Sequence, residues 1–131
     1  MKSYRVLVVD DERYFLDPLV ERLKVRKIEA YGVDSGEAAL EFLTRTQVDV
    51  VVLDVKMKGM DGLEVLQEIK SRYPLMEVIL LTGHASVEAG MKGLELGAFD
   101  YLIKPVKLDE LLEKMGEAYE RKMICQKGEE G

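Results

Sequence analysis

Polar residues with possible chemistry follow four apolar runs that are typical of buried strands. Directly after these runs stand Asp10 and Asp11, Asp54, Thr82, and Lys104. Because the carboxyl ends of parallel strands meet at one edge of a sheet, where ligands bind, we expect these side chains to converge. Three carboxylates, a hydroxyl and an ammonium group in one place suit a divalent cation and a phosphoryl group.

Strand-like and helix-like patterns alternate five times and predict the elements that position these side chains. Strands are expected over residues 4–9, 29–33, 48–53, 77–81 and 100–103, with amphipathic stretches between and after them. The third and fourth apolar runs show little alternation, as expected for strands covered on both faces. Five such units predict an α/β fold with a doubly wound parallel sheet and right-handed crossovers.

Local signals mark several helix ends. Asp34 or Ser35 can cap the second helix, and Ser86 can cap the fourth. The third helix follows the Asp61-Gly62 turn, and Tyr73-Pro74 is expected to stop it. Pro18 lies inside the first helical pattern, where it removes one backbone donor and is expected to bend that helix near its start.

The fourth helix has the weakest composition. Val87, Met91 and Leu94 are spaced as an apolar helix face, but Gly90 and Gly93 lie among them. Each interior glycine costs about 1 kcal/mol relative to alanine. Two interpretations remain open: the glycines let the backbone pack closely on the sheet, or they give this helix the low local stability of a switch element.

Composition bounds the function classes. The chain has 131 residues, 47% hydrophobic and 34% charged, which indicates one ordinary globular domain. A net charge of −6 argues against direct nucleic-acid binding, which needs a basic face. No apolar stretch approaches the ~18 residues of a membrane span. No signal peptide is visible, and Cys125 has no second cysteine to pair with, so we expect a cytoplasmic protein.

The ordered polar residues and their flanking motifs resemble the receiver domain of two-component response regulators. The motifs are Val-Leu-Val-Val-Asp-Asp-Glu at 6–12, Asp-Val-Lys-Met at 54–57, Gly-Met-Asp-Gly at 59–62, Leu-Thr-Gly-His at 81–84, and Gly-Ala-Phe-Asp-Tyr-Leu-Ile-Lys-Pro at 97–105. The resemblance covers residues 4–120 and implies a flavodoxin-like (βα)5 fold with strand order 2-1-3-4-5. One position departs from the pattern: the family usually has Pro where this chain has Lys58.

The carboxylates are expected to bind Mg²⁺ or Mn²⁺, because three packed negative charges need a cation to offset them. We take Asp11 and Asp54 as direct ligands, and the resemblance implies the backbone carbonyl of Lys56 as a third. Asp10 is expected to act through water. Asp54 is then also the nucleophile that becomes an aspartyl phosphate.

The resemblance also implies roles for three other residues. Lys104 stabilises charge on the transferred phosphoryl group, and its peptide bond to Pro105 is cis. The Thr82 hydroxyl bonds a phosphate oxygen, and Tyr101 is an aromatic switch whose inward state accompanies the movement of Thr82. The simpler interpretation of Tyr101 is a half-exposed strand aromatic.

Lys56 and His84 are implied to flank the path of the hydrolytic water and so to set the lifetime of the phosphoryl group. On the residues alone, the simpler interpretation of His84 is a solvated loop histidine.

The expected organisation is a receiver domain over residues 1–122, followed by a C-terminal helix end or tail over residues 123–131. That end could be a linker or the edge of a segment. Expected partners are a sensor histidine kinase or phosphotransfer protein, and an output domain, partner or second copy at the face of the fourth helix, fifth strand and fifth helix. We expect no membrane partner.

Three other functions remain as alternatives. A receiver-like scaffold would bind partners without phosphorylation. A Mg²⁺-dependent phosphatase usually has a second acid two residues after its nucleophile; Asp54 has Lys56 there, and Asp10 has Glu12. A mononucleotide-binding module needs backbone donors for phosphate after the first strand, where this chain has acids.

Overall fold

Five strands and five helices alternate in the part of the chain that the structure, a computed structural model, describes: residues 4–130, without the side chains of 84, 129 and 130. The strands are β1 (Arg5–Val9), β2 (Glu29–Val33), β3 (Val50–Asp54), β4 (Glu77–Thr82) and β5 (Asp100–Ile103). The helices are α1 (Arg13–Val25), α2 (Gly36–Arg45), α3 (Gly62–Arg72), α4 (Val87–Glu95) and α5 (Leu108–Glu130).

The strands form one parallel sheet in the order β2-β1-β3-β4-β5, which confirms the flavodoxin-like prediction. Val9 pairs with Leu53 across β1 and β3, and Asp54 pairs with Leu81 across β3 and β4. This register brings the carboxyl ends of the central strands nearly level. The polar residues at these ends therefore share one edge of the sheet.

Helices cover both faces of the sheet, as the apolar runs predicted. All five residues of β3 are buried, and alternate residues serve opposite cores. Val51 and Leu53 pack towards α2, α3 and α4, whereas Val50 and Val52 pack towards α1 and α5. The central strands are thus held rigidly, and so are the residues at their ends.

Most helix ends follow the local signals. Ser35 caps α2, where its hydroxyl accepts a hydrogen bond from the Ala38 amide at 3.0 Å. Asp61 caps α3 in a reciprocal capping box with Glu64. Ser86 stands at the N-cap of α4, but its side chain makes no capping bond there, because a short 3₁₀ turn over His84–Ser86 leads into the helix. Pro18 lies inside α1.

The apolar face that the spacing predicted for α4 is not the face that this helix buries. Met91 is 56% exposed and Leu94 is 41% exposed. The buried positions are Gly90 and Gly93, and a Cβ on Gly93 would lie 2.1 Å from Leu80 Cδ1. The helix backbone packs directly on the sheet, which leaves the larger side chains outside. Close packing therefore explains both glycines.

The bounds of β1, β3 and β4 differ from expectation by one or two residues. β3 begins at Val50 rather than Val48, although Val48 is still buried in the core. Helix α5 continues through Glu130 without a break at residue 122, so the expected domain boundary stays a prediction. No helix among residues 4–130 is long and apolar enough to cross a membrane.

Candidate functional site

Three carboxylates lie together at the carboxyl edge of the sheet. Oxygen atoms of Asp10, Asp11 and Asp54 all fall within 4.8 Å of one another. Asp10 is fully buried and Asp54 is 6% exposed. Negative charges this close repel unless a cation offsets them, and an all-oxygen donor set suits Mg²⁺. The residues therefore fit the divalent cation that the sequence predicted.

The carboxyl group of Asp54 is hard to ionise in this place. Burial, and then the charge of Asp10, raise its pKa to about 6. The ammonium group of Lys104 and a hydrogen bond from the Lys56 amide lower the pKa in part. Since a bound cation also favours the ionised form, Asp54 is a group whose charge state depends on metal.

Lys104, directly after β5, bridges two of the carboxylates. Its Nζ lies 2.8 Å from Asp10 Oδ2 and 3.7 Å from Asp54 Oδ1. The same Nζ lies 4.4 Å from the centroid of the Phe15 ring, a cation–π contact. The Lys104–Pro105 bond is cis, which confirms the expectation. The ammonium group is thus held between the carboxylates of Asp10 and Asp54.

Backbone amides hold the other two carboxylates. Asp10 Oδ1 accepts a hydrogen bond from the Glu12 amide at 2.9 Å. Asp11 Oδ2 accepts one from the Lys58 amide at 3.0 Å, across 47 positions of sequence. The site is therefore assembled from both the β1–α1 loop and the β3–α3 loop.

Thr82 carries an unsatisfied hydroxyl. It is 1% exposed, and its Oγ1 has no hydrogen-bond partner in the described residues. Buried polar atoms are nearly always paired, so an orphan at a strand end beside Asp54 needs an explanation. The hydroxyl can bond a group that binds at this edge of the sheet.

Tyr101 packs between β5 and α4, beside Thr82. A Cβ on Gly90 would lie 2.8 Å from Tyr101 Cγ and 3.1 Å from Thr82 Cγ2. The helix backbone, the tyrosine ring and the threonine methyl group are therefore in one tight contact. A shift of any one of them is felt by the other two.

Lys56 lies at the rim of the site. Lys56 has an exposed side chain and lines an open cleft of about 850 Å³ with Asp11, Asp54 and Lys104. The side chain of His84 lies outside the described residues, so its role stays a prediction.

Sequence reasoning missed two contributors to the site. Phe15, which contacts Lys104, gave only the signal of an aromatic residue early in the first helix. The only signal for the Lys58 amide was the departure from Pro at that position, because Pro has no N–H to donate.

The chain is similar in sequence to proteins of one family. The sequence model of the response regulator receiver domain matches residues 6–116. The regulatory protein AtoC of Escherichia coli is 39% identical over 107 residues, which cover 82% of this chain and 23% of AtoC. A putative NtrX-like response regulator of Rickettsia conorii is 37% identical over 114 residues, which cover 86% of this chain and 24% of that protein.

A solved structure agrees with the sequence matches. The crystal structure of a response regulator receiver domain protein from Clostridium thermocellum superposes with a TM-score of 0.89 at 34% identity. That match covers 93% of this chain and 98% of the other. The chain thus corresponds to one complete domain there, but to only about a quarter of the length of the curated relatives.

Proposed function

This chain belongs to the response regulator receiver domain family, and we propose that its Asp54 accepts a phosphoryl group from a histidine kinase or a phosphotransfer protein. The observation that carries the proposal is the convergence of Asp54 with Asp10, Asp11 and Lys104 at one sheet edge. The family implies phosphoacceptor signalling. Receiver domains are typically signalling modules rather than enzymes.

In the proposed reaction, an ionised oxygen of Asp54 attacks phosphorus. A new P–O bond forms to Asp54 as the bond from phosphorus to the donor breaks, and the donor leaves with that electron pair. Lys104 offers N–H donors to the oxygens of the transferred group. The product is an acyl phosphate, which water can later hydrolyse.

A divalent cation, when bound, supplies positive charge against the carboxylates and the transferred group. Asp11, Asp54 and the Lys56 carbonyl would hold it directly, and Asp10 through water. Asp10 has a second task in this proposal, since it holds the Lys104 ammonium group at 2.8 Å. Lys56 and His84 would then modulate the lifetime of the phosphoryl group.

The proposed output is a change in the face formed by α4, β5 and α5. Thr82 would turn its hydroxyl to a phosphate oxygen, and Tyr101 would follow into the space that Thr82 leaves. Met91, Leu94 and Ile103 are exposed on this face, so apolar surface is available to an output domain, a partner or a second copy. The curated relatives are longer regulators, which makes an output domain one candidate. A cytoplasmic location is part of the proposal.

The proposed function is tested by intact mass after incubation with acetyl phosphate. A labile phosphoryl adduct should form with Mg²⁺, be absent in chelator, and map to Asp54. No adduct under either condition would overturn the phosphoacceptor assignment and favour a phosphorylation-independent scaffold. An adduct that maps to another residue would overturn the choice of Asp54.

A second prediction concerns coupling from Thr82 to α4. Thr82→Ala should still form the adduct, but the change in hydrogen exchange across residues 86–112 on phosphorylation should fall to roughly half or less, because the bond that biases the switch is lost. The measurement compares each protein with and without beryllium fluoride as a stable phosphoryl mimic.

Thr82→Ser is the matched control, since it retains the hydroxyl group. It should keep most of the wild-type exchange response. An equal response in the Ala variant would show that the switch does not run through this hydroxyl group.

A further inference from the structure

The backbone amide of Lys58, in the β3–α3 loop, contacts one of the three clustered carboxylates. It donates to Asp11 Oδ2 at 3.0 Å, and the side chain of Lys58 is exposed to solvent. We propose that this backbone amide is a positioning group that orients Asp11 for cation binding, so that position 58 sets metal affinity through its N–H. The inference rests on the metal site of the proposed function.

Asp11 depends on this bond more than its neighbours depend on theirs. Asp10 is held by both the Glu12 amide and Lys104. Asp54 is the last residue of β3 and is fixed by the sheet ladder. Asp11 lies beyond the end of β1, is only partly buried, and accepts this one hydrogen bond within the described residues. Among residues 4–130, no other hydrogen bond orients the Asp11 carboxylate.

The geometry of the β3–α3 loop makes the bond possible. Gly59, directly after Lys58, has φ +77°, a left-handed conformation that favours glycine. The loop closes at its far end, where the Gly62 amide donates to the Val55 carbonyl at 2.9 Å. This tight turn holds position 58 over Asp11. A proline at position 58, as the family usually has, would place no donor there.

Hydrogen-bonding partners of metal ligands commonly change metal affinity by about 10–100-fold, because they fix the orientation of the ligand. Here the partner is a backbone group, so the chemistry of the Lys58 side chain should matter little. Coupling is reciprocal, and cation binding should therefore slow hydrogen exchange of the Lys58 amide.

The test is Mg²⁺ binding by calorimetry, with tyrosine fluorescence as a second readout, since the chain has no Trp. Lys58→Pro should raise the Kd by about tenfold or more, whereas Lys58→Ala, which keeps the amide, should stay within about twofold of wild type. Circular dichroism in chelator checks that both variants fold. A third variant, with lysine replaced by its α-hydroxy acid at position 58, removes the N–H without the proline ring and should match Lys58→Pro.

Each outcome decides the inference. Weak binding by Lys58→Ala would assign the effect to the ammonium group and overturn it. Normal binding by the α-hydroxy acid variant would assign the loss in Lys58→Pro to the ring and also overturn it. Asp11→Ala separates the metal site from the role of the Lys58 amide. If Asp11→Ala loses Mg²⁺ binding and Lys58→Pro does not, the metal site stands and the inference fails. If the wild type itself does not bind Mg²⁺, the metal site of the proposed function fails.

Discussion

Asp54→Asn is expected to abolish phosphoryl uptake and to raise the free energy of unfolding of the metal-free domain by about 2–3 kcal/mol at pH 8. Uptake is lost because the amide is no nucleophile. Stability rises because Asp54 is 6% exposed and faces Asp10, so its ionisation opposes folding in the absence of a cation. Lys104 keeps its bond to Asp10 at 2.8 Å in the variant.

The pH dependence of this effect has a definite sign. The pKa of Asp54 is raised from 3.8 to about 6 in the folded chain. Between these values the folded chain retains a proton that the unfolded chain has released. The contribution of Asp54 to stability is therefore full below pH 3.8 and is lost as the pH rises through 6. The gain from Asp54→Asn should be small at pH 4, grow by at most about 1.4 kcal/mol per pH unit between pH 4 and pH 6, and level off above pH 6.

Urea unfolding in chelator, followed by circular dichroism from pH 4 to pH 8, measures this difference. Adding Mg²⁺ should shrink or reverse it, because the cation binds the folded wild type more tightly than a variant that lacks one ligand. A stability difference that does not change with pH would contradict the claim that ionisation of Asp54 destabilises the metal-free domain. The site would then be destabilised by something other than electrostatic repulsion.

Strand patterns in the sequence predict which residues stand at the ends of strands, and this decides which parts of the site could be predicted. Asp54, Thr82 and Lys104 stand at the ends of apolar runs, and parallel strands bring such ends to one edge whatever the details of the helices. The Lys58 amide could not be predicted in the same way. Its contact with Asp11 depends on the conformation of a loop, and a backbone donor leaves no trace in residue type except where Pro is absent.

The fourth helix shows the limit of periodicity. Met91 and Leu94 are spaced correctly for a buried face, but the spacing of Gly90 and Gly93 is equally regular. Burial of a glycine face requires that the opposing strand leave room for a backbone, and Leu80 does so with its methyl group against Gly93. This fit depends on α4 and β4 together, so the residue pattern of α4 alone does not predict it.

A charged pair at the opposite, amino-terminal edge of the sheet also escaped sequence reasoning. Glu77 begins β4 and is 3% exposed, and Arg121 on α5 binds both of its carboxylate oxygens, one of them at 2.6 Å. The guanidinium group also lies 4.6 Å from the centroid of the Phe99 ring. The two residues are 44 positions apart, and a charged residue at a strand start usually faces solvent. This contact ties the far half of α5 to the sheet.

Arg121→Met should therefore lower the free energy of unfolding by about 2–3 kcal/mol, because it leaves the Glu77 carboxylate buried without its bidentate partner. Lys70, with Nζ 3.9 Å from Glu77, limits the loss. Arg121→Lys should recover only part of it, since an ammonium group cannot form the bidentate bond. The double variant Glu77→Met with Arg121→Met should lose less than Arg121→Met alone, because no carboxylate is left buried without its bidentate partner. Lys70 keeps its hydrogen bonds to the Pro74 and Met76 carbonyls in that variant. Thermal and urea unfolding of the wild type, Arg121→Met, Arg121→Lys, Glu77→Met and the double variant measure this. A double variant as unstable as the sum of the Glu77→Met and Arg121→Met losses would show no coupling between the two residues and would contradict the prediction.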